Sequence, residues 1–176
     1  ETALHKHAGE EKDAELLVKA GIDVNIQDKT GETALHKGTF WSESVPPLFK
    51  VLIKAGIDVN IQNKAGKTAL FYRNHIGSIK STRLLVKAGI DVNIQDKAGC
   101  TALHECDSQE AKLFIEAGAD VNIQDKIGNT ALHKCDVRKA KLLLKAGADV
   151  NIANNKGHTP IISTDYKLVT LLLTYG

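Results

Sequence analysis

The stretch Thr101–Gly128, TALHECDSQEAKLFIEAGADVNIQDKIG, decides the reading of this chain, because its parts recur in register along 176 residues. The tetrad Thr-Ala-Leu-His starts at Thr2, Thr33, Thr101 and Thr130. It returns as Thr-Ala-Leu-Phe at Thr68 and as Thr-Pro-Ile-Ile at Thr159. Successive starts lie 31, 35, 33, 29 and 29 residues apart. A second block, Ala-Gly-(Ile/Ala)-Asp-Val-Asn, begins at Ala20, Ala55, Ala88, Ala117 and Ala146. A turn of the type Asp-Lys-x-Gly, or a close variant, ends at Gly31, Gly66, Gly99, Gly128 and Gly157. Self-similarity at such a period marks stacked modules, none of which buries its apolar face alone.

Each piece of the module has a local reading. Asp or Asn first and Gly fourth suits a type I turn. Thr33-Ala-Leu-His36 and its counterparts open a short helix, with Thr able to accept from first-turn amides. A second helix carries the aliphatic runs that start at Leu16, Leu52, Leu84, Leu113, Leu142 and Leu171. It stops at an Ala-Gly pair suited to a left-handed C-cap. Lys19, Lys54, Lys87 and Lys145 fall in that last turn, where a cation complements the helix dipole. An extended Asp-Val-Asn-Ile is expected to lead into the next turn.

With a period near 33, a Thr-Pro-Leu-His-like start and a Gly-Ala-Asp-Val-Asn-like close, the chain resembles the ankyrin-repeat family over nearly its whole length. The resemblance implies an all-α solenoid in which each repeat is a β-hairpin finger plus an antiparallel helix pair. It implies one domain over 1–176, with copies near 1–27, 28–62, 63–95, 96–124, 125–153 and 154–176, the first and last incomplete. Ala replaces the family's Pro in five copies and only Pro160 keeps it; both residues suit a first helical turn. From motif Thr to closing Gly the distances are 19, 23, 21, 17, 17 and 17 residues. Shortened helix pairs are therefore expected in the last three repeats, with Asp107 and Asp136 capping the second helix directly. The chain has no Met, opens inside a motif, and closes on Leu171-Leu-Leu without a polar cap. A longer parent protein is expected.

Composition narrows the function. Hydrophobic residues make up 43%, aromatics 5%, and the net charge is +2 with both signs interspersed. That supports an aliphatic core and excludes both a disordered chain and a broad nucleic-acid footprint. No run approaches the roughly 18 apolar residues of a membrane span. His104-Glu-Cys106 and His133-Lys-Cys135 invite a zinc reading. Yet each His is the fourth motif residue, present also as His5 and His36 with no Cys beside it, and the family uses it to tie neighbouring backbone. Each Cys stands where the family has a small buried residue. No metal, disulfide or cofactor is expected. The His and Asp residues sit at repeated structural positions, so no catalytic constellation, enzyme activity or small-molecule substrate is expected either.

The informative residues are those that break the repeat. Trp41, Tyr72, Arg73 and His75 cluster in copies two and three, and Trp, Tyr and Arg dominate interface hot spots. Phe40, Phe49 and Phe71 are assigned to the core. Lys29, Lys64, Lys97 and Lys126 form a row of turn tips able to steer an acidic partner. The expected function is a protein–protein interaction module that binds a partner protein on its concave finger and first-helix surface, in the cytoplasm. The alternative is the substrate-recruiting segment of an enzyme whose catalytic domain lies outside this chain, such as a secreted bacterial effector in a host cytoplasm. The resemblance also nominates Asn25, Asn60, Asn93, Asn122 and Asn151 for the hydroxylation known in animal-cell members.

Overall fold

The computed structural model describes residues 11–38, 47–72 and 79–160, together with Thr170 and Thr174. The chain divides into two compact units, Glu1–Asp96 and Lys97–Gly176.

In the first unit the described elements are α1 (Glu11–Lys19), α2 (Ala34–Gly38), α3 (Pro47–Lys54), a 3₁₀ turn at Ala69–Phe71, and α4 (Ile79–Lys87). Helices α1 and α3, the second helices of consecutive copies, pack side by side. Helix α2 packs on α3 within its copy and on the 3₁₀ turn of the next. Leu35, Phe49, Leu52, Leu70, Phe71 and Leu85 are buried between them. Burying one such side chain stabilises the fold by about 1.5–3 kcal/mol. Phe49 and Phe71 therefore belong to the core, as expected.

The second unit repeats the plan in less space, with α5 (Ala102–Glu105), α6 (Ser108–Glu116), a 3₁₀ turn at Ala131–Lys134, and α7 (Val137–Lys145). Only Cys106 and Asp107 separate α5 from α6. Asp107 is the N-cap of α6, its carboxylate accepting from the amides of Gln109 (2.8 Å) and Glu110 (2.9 Å). Asp136 accepts from the Lys139 amide at 2.7 Å and caps α7. Leu103, Cys106, Leu113, Phe114, Leu132, Leu143 and Leu144 are buried. A lysine joins them: Lys139 is 3% exposed, and its Nζ donates to the Cys106 carbonyl at 2.9 Å and the His104 carbonyl at 3.4 Å.

Two local expectations change. The described residues contain no strand, and each finger is a turn rather than a β-hairpin. In the first, the Gly31 amide donates to the Asp28 carbonyl (2.9 Å) and the Asp28 amide to the Glu32 carbonyl (2.8 Å). The helix begins two residues later, leaving no length for a ladder. Asp-Val-Asn is likewise not extended: Val24 and Asn25 form a turn in which the Asp23 carboxylate accepts from the Asn25 amide at 2.9 Å. Asp58, Asp91, Asp120 and Asp149 do the same, a side chain standing in for a backbone turn.

Consecutive copies are joined mainly through backbone groups. The tip amide of Lys64 donates to the Thr30 carbonyl, that of Lys126 to Ala98 and that of Asn155 to Ile127, at 2.9, 2.9 and 3.0 Å. The Asn25 side-chain oxygen accepts the Asp58 amide at 2.8 Å, Asn60 that of Asp91 at 2.7 Å, and Asn122 that of Asp149 at 2.8 Å. The motif histidine bridges in both directions. His36 Nδ1 accepts the Thr33 amide at 3.1 Å, which leaves Nε2 to carry the proton it donates to the Lys67 carbonyl at 3.0 Å. His104 and His133 bond the same way to Thr101 and Thr130 on one side and to the carbonyls of Asn129 and His158 on the other. Phe71 lacks ring nitrogens, and Thr68 Oγ1 is buried without a partner.

Finger glycines bear on this joint. Gly31 has φ +79°, and a Cβ there would lie 2.8 Å from the Lys64 nitrogen. Gly56, with φ +81° at the end of α3, has open space around the same position. Both substitutions carry the left-handed penalty of about 1–2 kcal/mol, but only Gly31→Ala also forces backbone apart. We expect Gly31→Ala to destabilise the first unit by at least about 1 kcal/mol more than Gly56→Ala, read by urea titration; equal losses refute the close-approach argument. Thr68→Val is expected to be neutral or stabilising, because it removes an unpaired buried hydroxyl. Thr33→Val loses the contact of its hydroxyl with His36 and should cost about 1 kcal/mol. The same titrations decide, and a Thr68→Val loss matching that of Thr33→Val contradicts the assignment.

Candidate functional site

The eight residues expected to meet a partner fall into three groups. Trp41, Arg73 and His75 lie outside the described residues. Lys29 and Lys64 in the first unit, and Lys97 and Lys126 in the second, are exposed at turn tips. Tyr72 is half-buried at the base of the fingers and, of the five described residues among the eight, is the one tied into a side-chain network.

That network grows from the turn chemistry. Asp28 opens the first finger and its Oδ1 accepts from the Thr30 amide (2.8 Å), the Thr30 hydroxyl (2.6 Å) and the Glu32 amide (3.1 Å). Its Oδ2 takes the Lys37 ammonium at 2.9 Å, and Lys37 also lies 3.4 Å from Glu32. The Tyr72 hydroxyl donates to Glu32 Oε1 at 2.6 Å and accepts from Asn63 Nδ2. The ring of Tyr72 stands edge-on to His36, with centroids 5.5 Å apart and planes at 84°. Tyr72 thus connects its own copy to the preceding finger.

The electrostatics follow from burial and bonding. Burial alone would push the Asp28 carboxyl up; the bonds from Thr30, Lys37 and the two amides outweigh it and hold Asp28 well below the usual carboxylate range. Glu32 is held low in the same way, burial being overcome by the Tyr72 and Lys37 bonds. The bond to Asp28, against burial, raises Lys37 above an ordinary lysine. Burial and then the Glu32 carboxylate push the Tyr72 phenol far up. The carboxylates beside the tips therefore turn inward: Asp28 to Lys37, and Asp96 to Lys67 at 3.7 Å. Lys67 also lies 5.3 Å over the Phe71 ring.

The His-x-Cys pairs are built into the scaffold. Both His104 nitrogens face backbone or Thr partners, and burial lowers its pKa. The Cys106 and Cys135 thiols donate to the carbonyls of Leu103 and Leu132 at 3.5 and 3.4 Å. Burial pushes the Cys135 thiol up to about 11, so it stays protonated at neutral pH. Among the described residues no three His, Cys, Asp or Glu side chains come together as metal ligands.

Sequence reasoning missed Glu32, Lys37 and Asn63, whose roles need the juxtaposition of two copies. It also missed a polar groove in the second unit, between the last two fingers, lined by Ile127, Asn129, His133, Lys134, Asn154, Asn155, Lys156, His158 and Thr159. A signal was present: the turn opener, Asp in three fingers, is Asn154 there.

Short helical modules joined backbone to backbone, with a variable outer row of side chains, define a repeat scaffold. A family model for ankyrin repeats in three copies matches residues 41–110, and the single ankyrin-repeat model matches 98–126 and 127–155. The chain belongs to the ankyrin-repeat family. Ankyrin repeats are as a rule non-catalytic modules that bind other proteins. No curated protein matches the chain. No helix among the described residues is long and apolar enough to cross a membrane.

Because the folded pKa values of Asp28 and Glu32 lie below their unfolded ones, their contribution is complete above the ordinary carboxylate range and is lost as pH falls through the folded values. Thermal melts followed by the fluorescence of Trp41, the single tryptophan, should show falling stability from about pH 5 toward pH 2. The double variant Asp28→Asn, Glu32→Gln should be less stable at neutral pH and flatter over that range. Parallel acid profiles for the two proteins would falsify this assignment.

Proposed function

We propose that the chain is a protein-binding array, six copies over 1–176 forming one continuous solenoid domain, with a partner protein held along the concave flank of fingers and first helices. The supporting observation is a division of labour among side chains. Repeated polar residues (His36, His104, His133, Asn25, Asn60, Asn122) spend their hydrogen bonds on the neighbouring copy, while the tip lysines Lys29, Lys64, Lys97 and Lys126 stand exposed. Residues with no structural duty in the repeat are the ones free to vary with a partner. Trp41, Tyr72, Arg73 and His75 supply the aromatic and cationic anchors of the surface, and the lysine row steers the approach. Tyr72 serves by its ring, since its hydroxyl is committed to Glu32. The array works in the cytoplasm. The alternative, a recruiting segment for a catalytic domain elsewhere in a parent protein, uses the same surface.

Affinity capture from a cell lysate tests this. A specific partner should be recovered by the wild type, and at least about tenfold less by Trp41→Ala plus Arg73→Ala. Tyr72→Phe, which keeps the ring, should recover it normally. A partner retained equally by every variant removes the proposed surface, and no partner at all removes the binding reading.

A further inference from the structure

We propose that the groove between the last two fingers of the second unit is a docking site for an acidic segment of a partner protein, with an apolar residue beside the acid. The inference rests on the binding reading and adds the chemistry of what binds.

The groove has one sign of charge. Its ionisable lining residues are Lys134, Lys156, His133 and His158, and none of its lining residues is a carboxylate. This follows from two substitutions at fixed positions of the turn. The opening residue is Asp28, Asn63, Asp96 and Asp125 in the earlier fingers and Asn154 in the last. Asn154 still closes the turn, its Oδ1 accepting from the amides of Lys156 (3.0 Å) and His158 (3.1 Å). The turn therefore keeps its geometry and sheds its negative charge. The residue after the turn glycine is Glu32 in the first finger, then Lys67, Cys100 and Asn129, and His158 in the last, so the last finger also carries no acid there. The remaining acid on the adjoining finger, Asp125, is engaged inward by the amides of Ile127 (3.0 Å) and Asn129 (2.8 Å).

The amides and His133 are occupied by the scaffold. Asn154 Nδ2 donates to Asn129 Oδ1 at 2.8 Å, Asn155 Nδ2 to the Lys126 carbonyl at 2.9 Å, and His133 Nε2 to the His158 carbonyl at 3.1 Å. These bonds hold the two walls in place, so the groove need not form on binding. Lys134, Lys156 and His158 are exposed and supply the donors. At the rim stands Ile127, 56% exposed, in the third turn position, where the earlier fingers carry Thr30, Ala65 and Ala98. A large apolar side chain on a solvated tip beside two lysine ammoniums and an imidazole donor fits an acidic side chain next to an apolar one. A phosphate backbone would make no use of it.

Fluorescence anisotropy on the full chain tests the assignment with three labelled probes: a peptide alternating Glu and Leu, its Lys and Leu counterpart, and a thymidine oligonucleotide. The Glu/Leu peptide should bind, more weakly as salt rises. Lys134→Glu plus Lys156→Glu should weaken it at least about tenfold, and Ile127→Ser should weaken it with its salt dependence unchanged. Lys87→Glu plus Lys145→Glu, at the ends of α4 and α7, should change it by less than about twofold. Circular dichroism melts check that each variant folds. No binding of the Glu/Leu peptide, equal binding of the oligonucleotide, or equal loss in the control variant overturns the proposal. If the peptide fails while lysate capture still depends on Trp41, the groove assignment falls alone; if both fail, the binding reading falls with it.

Discussion

The carbonyls of Lys67, Asn129 and His158, each following a finger glycine, are shared between two copies, and the structure around them depends on that sharing. The Lys67 carbonyl accepts the Asn63 amide within its own turn and the His36 ring from the copy before. Asn129 and His158 repeat the arrangement with His104 and His133. A carbonyl has two lone pairs, and a module this thin has no second layer of its own to fill the second. The aliphatic stripe poses the same problem in apolar terms, since Leu35 or Leu132 is buried only with a neighbour in place. Polar and apolar requirements thus point the same way.

The copies that break the pattern show what the sharing is worth locally. Phe71 replaces the histidine and gains burial and the Lys67 ammonium over its ring, while Thr68 Oγ1 is left buried and unpaired. Unpaired buried hydroxyls carry a desolvation penalty that other contacts must offset. Tyr72, the next residue, makes a new bridge to Glu32 of the preceding finger. Its ring, edge-on to the buried His36, and its hydroxyl both belong to that joint.

Much of this was legible in the sequence. The steps between motifs located every described helix, the aspartates at 107 and 136 announced their caps, and Gly21, Gly56, Gly89, Gly118 and Gly147 have the positive φ their position demands. What stayed hidden depends on side chains meeting across copies. Asp28 sits beside Lys29 in the chain, yet its carboxylate turns to Lys37. Ladder length was also hidden: a hairpin and a closed turn share the same Asp-x-x-Gly signal, and only the start of the helix two residues later separates them. The cationic groove arises from an Asp-to-Asn exchange that leaves the turn geometry intact, so pattern matching alone passes over it.

Shortening the second unit's copies creates a need that the sequence meets with Lys139. With only Cys106 and Asp107 between α5 and α6, the carbonyls of His104 and Cys106 at the end of α5 face the following copy. A cation suits that end of a helix. The Lys139 ammonium reaches the carbonyls of His104 and Cys106 from the following copy, its stem lying in the apolar layer. The equivalent position one copy earlier is Glu110, also buried, on the first turn of α6. An acid there favours its own helix start, whereas Lys139 serves the preceding copy's helix end. One register position thus carries opposite charges in the two copies, each buried. It also explains why near-identical copies cannot be exchanged freely: each is fitted to the copy before it.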